Sequence, residues 1–184
     1  MKKTLALAAV LLLTASLAYA QFAGTGTTTL SVAVAAEASI QINTPATTLT
    51  LGGSPFADYA GTTNFAYKIR TQKTGGNGSI VLKVTSDFSA DVNGTAPSVG
   101  HSSTTGDTLT YTCYATITTG GTVTPCSTAQ TASTNATTNV AGFSEDARTQ
   151  KAGDTGSVIW SLVNDPRYQT GSYNAVVTFT ISAT

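Results

Sequence analysis

Charge is scarce in this chain. Only 10% of its 184 residues are Asp, Glu, Lys or Arg, and the formal net charge is zero. Globular domains ordinarily carry about a quarter. No cluster of cations here approaches what nucleic acid or an anionic lipid surface demands, so neither is an expected partner. Histidine occurs once, as His101, in the Gly/Ser/Thr stretch 98–105. Alone in such a loop it offers neither a metal-ligand set nor a base with an orienting partner. The G-x-S-x-G elbow, the H-E-x-x-H helix and the phosphate-cradling G-x-x-x-x-G-K-[ST] loop are all missing. Asp87 and Asp91 are close enough in sequence to share calcium, but no loop repeats Asp at ligand spacing. A small hydrolase using Asp87 or Asp165 ranks last among the readings. The sequence therefore predicts no enzyme, no metal and no cofactor.

Long apolar runs are also lacking. The longest, Leu5–Leu13, follows Lys2 and Lys3 and precedes Ala18-Tyr19-Ala20. A run that short does not cross a bilayer core of roughly 30 Å, and with its flanks it reads as a bacterial Sec-type signal peptide over 1–20. No cysteine follows the cleavage signal to take a lipid. The expectation is a single domain over 21–184 in a protein that is secreted, periplasmic or on the cell surface, with no membrane span once the leader is removed. Asn77, Asn93 and Asn135 open glycosylation sequons, which count for little behind such a leader.

What the chain does have is threonine, roughly a fifth of all residues, and β-branching favours strands over helices. Period-2 alternation dominates, and no window carries a 3.6-residue apolar stripe. Leu30, Val32, Val34, Ala36, Ala38, Ile40 and Ile42 alternate as one long strand or as two broken near Ala35-Ala36. Further runs cover 65–69, 80–84, 109–117, 158–162 and 173–181, with Gly-rich turns between them. Trp160 is in phase with Val158 and Leu162, which puts it in a core more readily than on a sugar platform. Tyr59, Tyr114 and Tyr168 are better candidates for exposed, binding aromatics. Several half-buried strands with regular turns mean a sandwich or a barrel, the sandwich being the commoner outcome, so the fold class predicted is all-β, an antiparallel β-sandwich of the Ig-like kind.

Cys113 and Cys126 are the only cysteines, and no C-x-x-C redox motif occurs. In an exported chain the pair reads as a structural disulfide, stapling a hairpin that turns at Gly120-Gly121.

The chain also repeats itself. FAYKIRTQKTGGNGSIVLKVTSD (65–87) and FSEDARTQKAGDTGSVIWSLVND (143–165) share nine of 23 positions without a gap. The pattern is F-x4-RTQK-x-G-x-x-GS, read as a duplicated strand–turn–strand unit whose glycines permit left-handed backbone in the turn. Arg70, Lys73, Arg148 and Lys151 then either form a recognition edge or are merely solvated on two equivalent turns.

The ending Gly171-Ser172-Tyr173-Asn174-Ala175-Val176-Val177-Thr178-Phe179-Thr180-Ile181 resembles the terminal G-x-Y-x-x-x-V-x-F strand of pilin-like and spore-coat-U-like surface sandwiches. Trp160-Ser161-Leu162 and the matching Leu82-Lys83-Val84 are similar to the paired signatures of WxL cell-wall-binding domains, although Leu82 stands where the first tryptophan belongs. The whole resembles secreted bacterial β-sandwich proteins. The pilin likeness implies subunits joined by a donated strand, for which Leu30, Val32 and Val34 are the candidate assembly residues. That stretch reads equally as the first strand of a closed domain. The expected function is structural or adhesive: strand-mediated self-association, or attachment to other surface proteins. A carbohydrate- or wall-binding module using the tyrosines and RTQK loops is the alternative.

Overall fold

The computed structural model describes residues 25–88, 95–99 and 108–184. The expected leader, His101, Asp91 and Asn93 lie outside them. The chain divides into a unit ending at Ala33 and a second unit, Val34–Thr184. In the first, residues 25–33 are exposed and hold no regular secondary structure.

The second unit is all-β. Its strands are β1 (Glu37–Ile42), β2 (Thr50–Leu51), β3 (Tyr59–Arg70), β4 (Gly78–Ser86) and β5 (Leu109–Ala115). They continue with β6 (Val123–Pro125), β7 (Gln130–Thr131), β8 (Thr138–Phe143), β9 (Asp154–Leu162) and β10 (Val176–Ala183). One sheet has the order β1-β3-β9-β5-β7, with β2 also on β3, and the other β10-β4-β8-β6; every pairing is antiparallel. The inward positions of both sheets alternate as period-2 strands require and make one core. Phe65, Tyr67, Ile80, Leu82, Val84, Val99, Tyr111, Val140 and Val158 are among its fully buried members. Trp160 belongs to it at 4% exposure, and its Nε1 donates to Thr63 Oγ1 at 2.9 Å.

Each RTQK segment carries the chain from one sheet to the other. After β3 the first passes from one sheet to the other, and after β8 the second passes back, so β3 lies beside β9 while β4 lies beside β8. The segments cross antiparallel at Arg70 and Arg148. Thr71 N donates to Ala147 O at 3.0 Å, and Thr149 N to Ile69 O at 3.1 Å, the same bond with the copies exchanged. Both threonine hydroxyls also accept, from Ala147 N and Ile69 N. The strand registers match too, since Phe65 faces Gly156 and Phe143 faces Gly78. The glycines divide the labour. Gly75 and Gly153 take positive φ in the turns (70° and 96°). Gly78 and Gly156 instead sit in strands where an added Cβ would stand only 2.6 Å from Ile69 Cδ1 and 2.4 Å from Phe65 Cζ respectively.

The likeness extends past the repeat. Exchanging β3 with β8 and β4 with β9 turns β1-β3-β9-β5 into β6-β8-β4-β10, the order of the second sheet. Ala115 faces Gly156 as Ala183 faces Gly78, which aligns LTYTCYA of β5 with VTFTISA of β10.

Two expectations are corrected. The alternating run from Leu30 becomes a strand only at Glu37. That start lies just past the break near Ala35-Ala36 that one reading allowed, and the partner strand β3 ends at Arg70, opposite Glu37, where the chain leaves for the other sheet. The stretch between the cysteines is not a hairpin. β5 pairs with β9 and β7, β6 pairs with β8, and the Gly120-Gly121 turn links two sheets rather than two neighbours. Gly121, at φ 65°, lies against the backbone of Ala147. Cys113 and Cys126 do form a disulfide, and it joins sheet to sheet.

Candidate functional site

The sequence singled out residues that the structure sorts into three places. Arg70 and Arg148 share a shallow cleft of about 370 Å³ with Glu37, Ser39, Lys68 and Thr149. Each guanidinium already has a carboxylate: Arg70 bonds Glu37 Oε2 at 3.1 Å and Ala35 O at 2.7 Å, and Arg148 bonds Asp146 Oδ2 at 3.1 Å. These are exposed pairs worth little in stability. Their geometry ties down the crossing segments. Lys73 and Lys151 stand exposed at the two turns.

The second place is the side of the sandwich where β1 and β10 are the outermost strands. Their apolar residues, among them Ile40, Ile42, Val177, Phe179 and Ile181, are only partly buried. An apolar cleft of about 340 Å³ opens there, lined by Ile42, Leu49, Phe88, Trp160, Val177 and Phe179 with several threonines. On the other side of the sandwich the disulfide ties β5 to the residue after β6. Leu30 and Val32 belong to the first unit and are 92% and 86% exposed; Val34, in the second, is 65% exposed.

The third place gathers Tyr59 and Tyr168 into a groove of about 840 Å³ with Phe56 and Tyr173. Sequence reasoning missed the last two. Phe56 lies in a Gly/Ser/Pro turn with no alternation to mark it, and Tyr173 was read as the start of the last strand, which begins three residues later. Tyr114 is elsewhere, exposed on β5.

The carboxylates weighed for chemistry hold loops together. Asp87 accepts from Phe88 N, Val99 N and Ser98 Oγ at 2.7, 2.9 and 3.0 Å. Asp165 accepts from the backbone and side chain of Arg167, hydrogen bonds that hold its carboxyl below the usual range. Buried Asp154 accepts from Thr118 N and Oγ1 at 3.0 and 2.7 Å.

Two buried phenols carry a pH dependence. The Tyr67 hydroxyl donates to Thr116 O, and that of Tyr111 lies 2.9 Å from Asn139 O. Burial pushes both above the ordinary tyrosine value, and the Asp154 charge adds to the effect at Tyr67. The fold thus favours the protonated phenol. Its contribution is complete below the unfolded pKa of about 10 and is lost as pH rises beyond it. Urea midpoints are expected to hold steady up to about pH 9 and to fall above about pH 10, less steeply in Tyr67→Phe. Midpoints unchanged at pH 11 would contradict this.

No family model matches the chain, and no curated protein or solved structure is significantly similar to it.

Proposed function

We propose that this is an exported surface protein that acts without catalysis, joining copies of itself, or other surface proteins, through strand pairing at β10. The observation that carries the reading is the character of that edge. Exposed edge strands are normally kept short, or protected by charge, proline or a bulge. Of the other outer strands, β7 has two residues, β6 has three and ends in Pro125, and β1 opens with Glu37. β10 has eight residues, VVTFTISA, without charge or proline, and its one irregularity is at its first step. It bonds β4 on one side and no described strand on the other.

The same chain carries a segment of fitting character. Thr27–Ala36 is uncharged and alternates at Leu30, Val32 and Val34. Added to an edge, a strand gains backbone hydrogen bonds along its length and sets alternate side chains against the neighbouring face. The half-covered Val177 and Phe179 beside the β1/β10 cleft offer such a face. The disulfide agrees with an oxidising compartment.

Sedimentation of the purified protein at neutral pH is expected to show oligomers that deletion of Thr27–Val34 dissociates. Thr180→Lys, which puts a charge on the exposed face of β10, should do the same, with stability changed by no more than about 0.5 kcal/mol. A parent protein that is strictly monomeric, or oligomers indifferent to both changes, would sink the reading.

A further inference from the structure

Four aromatic rings, Phe56, Tyr59, Tyr168 and Tyr173, line the 840 Å³ groove. From them we infer that it binds a neutral oligosaccharide chain, a function separate from the pairing at β10. The rings are set in place before any ligand arrives. Tyr168 Oη donates to Val163 O at 3.2 Å and Tyr173 Oη to Gln169 O at 3.0 Å, which fixes where each ring points. The opposite wall is the turn before β3, closed by Ala57 N donating to Ser54 O and Gly52 N to Asp58 O. Asn164 Nδ2 reaches across to Ala57 O at 3.2 Å and holds the two walls together.

Phe56 is the sharpest sign. It is 63% exposed, and its backbone is at φ 59°, a conformation that disfavours any side chain. An apolar ring kept in water on such a backbone gains nothing for the fold. Residues of that kind collect where a ligand is clamped.

The ligand class follows from the lining. Sugar rings present apolar C–H faces that stack on aromatics and a dense rim of hydroxyls. Beside the rings the groove has Gln169, Thr170, Ser172 and Asn174, amides and hydroxyls that both donate and accept. Among the described residues its one charged lining residue, Asp165, is neutralised by Arg167. A groove whose described lining has no net charge has no attraction for an acidic glycan, and one with so many polar groups does not suit a purely apolar guest. A proline-rich peptide would use the rings and leave most of the amides and hydroxyls unpaired.

Calorimetric titration with neutral hexasaccharides (β1,4-glucan, β1,3-glucan, chitin, xylan and mannan series) decides the matter. At least one is expected to bind in the millimolar range or tighter. Phe56→Gly should weaken that binding about tenfold or more while leaving Tm equal or higher, because glycine accepts the backbone angle. Tyr59→Ala should weaken it too, whereas Tyr114→Ala, outside the groove, should not. No binding across the neutral series overturns the inference. So does binding that survives both groove variants, a preference for heparin or polygalacturonate, or capture of a proline-rich peptide in place of any sugar. Deleting Thr27–Val34 should leave saccharide affinity unchanged, so the two proposals fail separately.

Discussion

Replacing Cys113 and Cys126 together by alanine is expected to destabilise the sandwich by about 3 kcal/mol, the chain-entropy value for so short a loop. For a domain of this size that lowers Tm by roughly 6–12 °C. The bridge joins β5 in one sheet to the residue after β6 in the other. Cys113 N also donates to Cys126 O at 2.9 Å, and that bond can persist without the sulfurs. The loss should therefore appear as an easier global unfolding with the same strand content. Differential scanning calorimetry with far-UV circular dichroism checks both parts. A Tm within about 2 °C of the parent would show that the sheets hold that side unaided.

Gly156→Ala is expected to cost more than about 2 kcal/mol, against less than about 0.5 for Gly142→Ala. Both glycines lie in strands, and propensity alone treats them alike. Their surroundings do not. A Cβ on Gly156 would stand 2.4 and 2.6 Å from the Phe65 ring and 2.8 Å from Tyr114 O, whereas on Gly142 it meets nothing within 4 Å. Phe65 cannot withdraw, being fully buried and packed in tilted contact with Tyr67 and Phe179, with ring centroids at 6.1 and 6.0 Å. Urea denaturation of the two variants decides it, and equal midpoints would refute the argument.

The long alternating strands were legible because one face of each is buried and the period survives. β9 and the inner half of β3 are examples, and so is the all-β class. β8 was not legible, for a local reason. Ile80 pairs with Ala141 and Val81 with Asn139, so Val140 is an extra residue, and two adjacent side chains are buried where alternation allows one. The outer half of β3 was hidden because Tyr59–Asn64 owes its strand form to pairing with β9, and at Tyr59 and Ala60 also with β2, rather than to a continuous apolar face. The repeat was visible through its RTQK segments, whose backbone crossing constrains sequence. The likeness of β5 to β10 was not, since only Thr110, Thr112 and Ala115 recur and the spacing differs from that of the repeat. As for sites, the cysteines paired as spacing implied but across sheets. Tyr59 and Tyr168 came together, and Phe56 carries no pattern that marks it before the backbone angle is known.

The crossing of the two RTQK segments also sets a timetable. Ile69 must find Thr149, 80 residues on, and Thr63 must find Trp160, 97 residues on. Neither sheet can be assembled from the first half of the chain, because β4 waits for β8 and β3 for β9. Contacts so distant in sequence close slowly, on the scale of milliseconds to seconds. A chain still emerging from the ribosome can pair β1 and β2 with β3, but it completes neither sheet until the last strands, β9 and β10, have been made.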